Sequence, residues 1–447
     1  MGTPVENIDV VIIGAGPAGL ASCYAALQAN KKILLIDAGE TALQLYASTQ
    51  FDERFEGRLT GGLGGAAKLW GAQSGFLDKS TLEAWRHAIG FKDEFIDSLQ
   101  KAREEMNEFL EIAVRPDNFY EIEKENELRQ LALKYSLNLR HTIYPKNGDL
   151  EWHWGKIIKN PKIDLILNER LIKISHQDSK DIALSFESGL TINLGLAKLI
   201  LAAGTVSTTE IILKSYPIES KQFGIGLKLQ DHPCGIVASY VGKGNRQLTK
   251  GQILNSEYGT LKRKYEYRSS RVSGVVELQY ELNSKFPSIL DKLKATVNKL
   301  SQYFLKQLLI LPPKLNLWIQ IEQMPGNSLS LDTATGTLIS SWSCDDNDLS
   351  AFKEIFEATH KMLISEGFTI IDEPDFTQFK PTQAFHPSGT VSMNTNPDLG
   401  FVNEYGIIHK NTQIQIASAA IFPSPSWVNP TFLIMSITSL GTKKLLT

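Results

Sequence analysis

The tightest constraint on this chain lies near its start. Residues 8–13, IDVVII, form an apolar, largely β-branched run, as expected of a strand buried on both faces. Gly14-Ala15-Gly16-Pro17-Ala18-Gly19 follows at once, and then LASCYAALQAN, which is helical in composition. Residues 32–36, KILLI, give a second buried strand with Asp37 at its end. Strand, glycine turn, helix, strand and acid within about 30 residues make up the βαβ unit that binds dinucleotides. Gly14 allows the tight turn, Gly16 lets the backbone approach a pyrophosphate, and Gly19 permits close helix–strand packing. The helix N-terminus adds partial positive charge. Asp37 is expected to accept hydrogen bonds from the adenosine ribose, and an acid there disfavours a 2′-phosphate. That leaves NAD or FAD; the competing reading is a Gly-rich turn in some other α/β domain.

Residues 163–202 choose between the two. IDLILN, RLIKISH, IALSFES and LTINLG read as short strands separated by turn-like residues, hence as an antiparallel meander. LAKLILAAGT (195–204) is another buried strand with a small-residue end. This pattern favours a glutathione-reductase-type FAD-binding domain. Residues 94–110, EFIDSLQKAREEMNEFL, are helical and charged. VSGVVELQYEL (272–282) and LNLWIQIEQM (315–324) read as strands, with a helical stretch between. The expected class is therefore α/β, with an α+β substrate domain on an antiparallel sheet inserted into the FAD domain. The expected segments are 1–80, 155–235 and 383–447 for the FAD domain, 81–154 for a helical connection and 236–382 for the substrate domain.

Composition narrows the functions. A chain of 447 residues with 42% hydrophobic and 21% charged residues is too apolar to be disordered. A net charge of -3 offers no basic excess for a phosphate backbone, which argues against nucleic acid. Cys23, Cys234 and Cys344 lie far apart, so neither a disulfide scaffold nor a metal site is expected. MGTPVEN has no basic and apolar segments of a signal peptide, and the run 304–315 is broken by Lys306 and Pro312-Pro313. The expectation is a cytoplasmic protein without membrane contact.

Further motifs point to one family. GGLGGAAKLWGA (61–72), FHPSGTVSM (385–393), IASAAIFPS (416–424) and VNPTFLIMS (428–436) stand in order after the N-terminal turn. With the lesser matches AAGTVSTTEIILKS (202–215), IGLKLQDHP (225–233) and IEQMPGNSLSL (321–331), they resemble the glucose–methanol–choline (GMC) oxidoreductases, with some likeness to the pyranose-oxidase type. The resemblance implies FAD, and cofactor contacts at Gly14, Gly16, Gly19, Asp37, Gly64, Gly65, Trp70, Leu171, Ala203, Gly204, Ser418, Ala419, Pro430 and Thr431. It implies a catalytic pair, His386 and Asn429. Oxidising an alcohol removes a hydroxyl proton and a carbon-bound hydride. A neutral imidazole accepts the proton, an asparagine amide holds the oxygen without competing for it, and flavin takes the hydride. The structural alternatives are a satisfied histidine at His386 and an N-cap at Asn429 for the last helix. His232, in QDHP, reads as structural.

Two departures from the family pattern matter. Relatives with covalent FAD use a histidine in the glycine-rich segment; here Leu69 precedes Trp70, so non-covalent FAD is expected. Ser418 replaces an acid that contacts the ribityl–phosphate region. Trp427 and Gln323 are candidates for the substrate side, although Trp427 reads equally as a core aromatic. Trp152-His153-Trp154 is ambiguous. Residues 288–311 form a basic amphipathic pattern, a helix packed on the substrate domain or a partner, or else one lying on a membrane. The expected activity is oxidation of a small-molecule alcohol, a sugar or polyol. A non-redox lyase of hydroxynitrile type and a binding protein with a vestigial flavin site are the alternatives. The electron acceptor (dioxygen, a quinone or a protein) and the oligomeric state stay open.

Overall fold

The computed structural model describes residues 3–4, 7–40, 44–46, 59–68, 75, 79–115, 130–139, 142–145, 150–177, 181–242, 246–247, 260–281, 310–311, 314–426 and 428–447. Trp70, Leu69, Trp427 and most of the 288–311 pattern lie outside these residues; Ile310–Leu311 is a short strand paired with Arg246–Gln247.

The elements around the glycine turn are β1 (Val10–Ile13), α1 (Pro17–Gln28), β2 (Ile33–Ile36), β3 (Ile163–Ile166), β4 (Lys198–Leu201), α2 (Gly204–Ser215), β5 (Ile407–Ile408), β6 (Asn411–Ile416) and α3 (Thr431–Leu446). The six strands form one sheet in the order β5-β6-β4-β1-β2-β3, parallel throughout except at the β5 edge. Its central strands are buried on both faces, which explains their unbroken apolar runs. Val11, Ile13, Leu34, Ile36, Leu199 and Leu201 join the core on one face. Val10, Ile12, Ile33, Leu35 and Ile200 join the core on the other. Each such buried side chain contributes about 1.5–3 kcal/mol of apolar burial. Helices α1 and α3 lie together on the second face, where the Thr442 hydroxyl reaches that of Ser22 at 3.5 Å.

The structure corrects the reading of residues 163–168. They do not join the antiparallel meander; β3 is the parallel edge strand beside β2, with Ile33 opposite Ile163. Its partner lies some 130 residues earlier in the chain, so local periodicity carries no sign of it. The meander is Leu171–Gln177, Asp181–Phe186 and Thr191–Asn193, with Thr3–Pro4 added in parallel.

A second sheet of seven strands is antiparallel. Its main path runs Phe368–Asp372, Pro233–Gly242, Lys314–Ile321, Ser273–Glu281, Thr260–Arg268, Leu137–Leu139, and Thr382–Gln383 pairs with Pro233–Gly242. The helix Asp346–Ser365 buries Phe352, Ile355, Met362 and Leu363 against it. That helix starts with a reciprocal capping box between Asp345 and Asp348.

Candidate active site

A cavity of about 350 Å³ opens beyond the carboxyl ends of β1, β2, β4 and β6, where parallel α/β sheets bind their ligands. Gly14, Gly16, Asp37, Gly65, Leu171, Ala203, Gly204, His386, Ser418, Ala419, Pro430 and Thr431 all line it. The walls come from both ends of the chain because the sheet interleaves them.

The glycine turn is fixed by contact. Gly14 has φ +104°, and a Cβ there would stand 2.4 Å from the Ala202 carbonyl oxygen. A Cβ on Gly19 would stand 2.0 Å from the Gly14 carbonyl oxygen, so helix and strand meet backbone to backbone. Gly16, the N-cap of α1, would place a Cβ in open space. Gly19 and Gly64 do not line the cavity; they stand behind it, Gly64 donating its N–H to the Ala15 carbonyl at 2.8 Å.

Asp37 is buried and accepts the backbone N–H groups of Ala15 (2.6 Å), Gly39 (2.8 Å) and Gly62 (2.5 Å). A carboxylate offers about four acceptor sites, so one is left for a ribose hydroxyl. The acid thus joins the first glycine turn to the second glycine-rich segment, a task the sequence does not reveal.

The His386 loop, which also lines the cavity, is held by its own contacts. The His386 N–H donates to Asp231 Oδ1 at 3.0 Å, and Nδ1 of His386 lies 3.1 Å from Nδ1 of His232. Burial first, and His232 second, push the His386 imidazole down to about 3. The ring is therefore neutral and able to accept a proton. Burial pushes the Asp231 carboxyl up to about 6, against backbone hydrogen bonds from His232, His386 and Ala384. Phe385, just before His386, has φ 61°, a left-handed backbone that costs energy for an aromatic residue.

Other expected residues fall differently. Asn429 is half-buried and does not line the cavity, although its neighbour Pro430 does. It is not the N-cap of α3; that position is Pro430, one residue later. Gln323 does not line the cavity. Its amide is spent internally: Oε1 accepts from Asp231 N (3.2 Å) and Trp342 Nε1 (3.0 Å), while Nε2 donates to Ser343 O and Asp348 Oδ2 (both 2.9 Å). Ser418 caps a short turn, accepting from Ala420 N at 3.2 Å, and its own proton remains to be donated. In the Trp-His-Trp segment, Trp154 is buried beneath α1, 3.9 Å from a Cβ on Gly19, and Trp152 carries Lys156 over its ring. None of the three lines the cavity. Sequence reasoning missed Gln383 and Phe385, which do line it; their place beside His386 was the available signal.

A model described as GMC oxidoreductase matches residues 327–438, which hold the His386 loop, the Ser418 turn and the start of α3. The C-terminal part of the chain is thus similar to the GMC oxidoreductases. A model described as FAD binding domain matches residues 9–49, the glycine turn and Asp37. The fold is similar to the crystal structure of pyridoxine 4-oxidase from Mesorbium loti, with a TM-score of 0.68 and 14% identity over 98% of this chain and 99% of that one. A search of curated proteins finds no match. With both matches, the chain is an FAD-dependent oxidoreductase acting on CH–OH donors. Its residues fit that cofactor. Gly16 leaves room for a pyrophosphate at the α1 N-terminus, where the helix dipole favours negative charge, and Asp37 keeps one acceptor site. Among the described residues no helix is long and apolar enough to cross a membrane.

Proposed function

We propose that this oxidoreductase oxidises a hydroxyl group of a small neutral sugar or polyol to a carbonyl, with His386 as the base and Asn429 as its partner. The supporting observation is the position of His386: a neutral imidazole that lines the same cavity as the glycine turn and the β4 end. His386 takes the hydroxyl proton, and the Asn429 amide donates to the same oxygen and orients it. FAD supplies the hydride acceptor when bound. The chain's contribution is to align the alcohol, exclude water and hold the proton. The FAD is non-covalent, because Leu69 stands where covalent relatives carry a histidine.

The test is anaerobic bleaching of the FAD-loaded protein by D-glucose, D-xylose, glycerol, benzyl alcohol and pyridoxine, the last being the alcohol in the name of the structurally similar oxidase. The reading predicts fast bleaching by a sugar or glycerol. Bleaching by benzyl alcohol or pyridoxine alone overturns the sugar or polyol assignment, and no bleaching by any of them overturns this alcohol assignment. Flavin that stays with the precipitate after acid treatment contradicts non-covalent binding.

A further inference from the structure

His232, read from sequence as structural, stands in line with the base. Its ring is fully buried. Nε2 lies 2.6 Å from the Ser426 carbonyl oxygen and Nδ1 lies 3.1 Å from Nδ1 of His386. A carbonyl oxygen only accepts, so Nε2 of His232 carries a hydrogen. A neutral imidazole has one N–H, which leaves Nδ1 of His232 bare and able only to accept. The donor of the contact between the two rings is then Nδ1–H of His386, and the bare nitrogen of His386 is Nε2.

We propose that His232 is a positioning residue that fixes the tautomer of His386, holding its Nδ1 protonated and keeping the Nε2 lone pair for the alcohol proton. The inference rests on His386 being the base. When Nε2 takes that proton, the imidazolium donates from Nδ1 to His232 in a charge-assisted hydrogen bond. The chain of contacts ends at a carbonyl, which cannot take the proton onward, so the proton stays on His386 until the site opens or reacts in reverse. A charged His232 would reverse the contact and put the hydrogen on the wrong nitrogen of His386. In the neutral ring the Ser426 carbonyl holds the single N–H at Nε2.

The backbone supports the alignment from both sides. Asp231 Oδ1 accepts the N–H of His232 at 2.6 Å and the N–H of His386 at 3.0 Å, so one oxygen sets the distance between the two residues. Phe385 (φ 61°) and Ser426 (φ 54°), which adjoin the two ends of the relay, both have left-handed backbones. Such conformations persist where surrounding contacts over-determine them.

The test is the tautomer itself, read by ¹⁵N–¹H correlation NMR of the FAD-loaded protein labelled at histidine, with signals assigned by His386→Ala and His232→Phe. The expected result at neutral pH is Nδ1–H for His386 and Nε2–H for His232. An Nε2–H tautomer at His386 overturns the proposal, whatever the substrate proves to be. The kinetic arm uses the alcohol of the panel above that bleaches the wild-type flavin fastest. His232→Phe keeps a ring but no acceptor and slows the limiting reduction rate on the order of 100-fold, with half-saturation within about threefold. His232→Asn returns an acceptor near the Nδ1 position and recovers at least about tenfold of that loss. A His232→Phe rate within about threefold of wild type, or equal slowing in both variants with FAD retained, overturns it. If no alcohol bleaches the wild-type flavin, the alcohol reading fails while the tautomer still decides this one.

Discussion

The side-chain hydroxyl of Thr205 donates to the Pro387 carbonyl at 2.6 Å. The first turn of α2 is thereby tied to the His386 loop across 182 residues of sequence. A second tie follows one turn on, where the hydroxyls of Thr209 and Thr390 meet at 2.6 Å. Helix α2 and the His386 loop are therefore held together at two points. Thr205→Val preserves shape and removes the bond. It should cost about 1 kcal/mol in thermal stability of the FAD-loaded protein and slow anaerobic flavin reduction several-fold. An unchanged melting temperature and rate would show that the tie does not hold the loop.

The glycine turn gives a contrast between two positions. Gly14→Ala forces a Cβ to within 2.4 Å of the Ala202 carbonyl oxygen at φ +104°, so folding should suffer. Gly16→Val places a Cβ with no protein atom beyond its chain neighbours within 4 Å, in the space left for the pyrophosphate. It should give a folded protein, judged by circular dichroism, whose FAD affinity measured by flavin fluorescence falls at least about tenfold. Normal affinity in Gly16→Val would put the pyrophosphate elsewhere.

The His386 ring, pushed down to about 3 by burial and by His232, sets the pH dependence. The imidazole is unprotonated over the whole neutral and mildly acidic range. The limiting rate of flavin reduction should stay flat from about pH 8 down to about pH 5. A limb centred near the ordinary histidine value of about 6.5 would contradict this. Stability carries the same sign. The unfolded imidazole takes up a proton near ~6.5 while the folded one stays neutral, so acidification through that window costs folding free energy. Asp231, held up at about 6, binds its proton more readily in the folded state. It opposes that loss, adding stability as the pH falls through 6 toward the ordinary carboxylate range. His386→Asn should therefore lose less melting temperature between about pH 7 and pH 5 than wild type does.

Much of this site was legible in the sequence because its parts are local. The run 8–37 contains a whole βαβ unit, and each glycine's task follows from backbone geometry. What was not legible depends on distant partners. Residues 163–166 alternate in polarity like any short strand, and only Ile33–Ile36 makes them parallel. Gln323 sits in a family-like segment, yet its amide is used up by Asp231, Trp342, Ser343 and Asp348. His232 stands 154 residues from the ring it touches, so QDHP gave its place without its partner. Asp37 was read as a ribose acid, and its three backbone donors appear only when the second glycine-rich segment folds over it.

The central claim is that His386 takes the alcohol proton. The direct measurement is anaerobic stopped-flow reduction of FAD-loaded His386→Ala by the alcohol that bleaches the wild-type flavin. The account predicts a yellow, folded protein with wild-type flavin content whose reduction is slowed at least about 100-fold. Flavin reduction at the wild-type rate in that variant would contradict it.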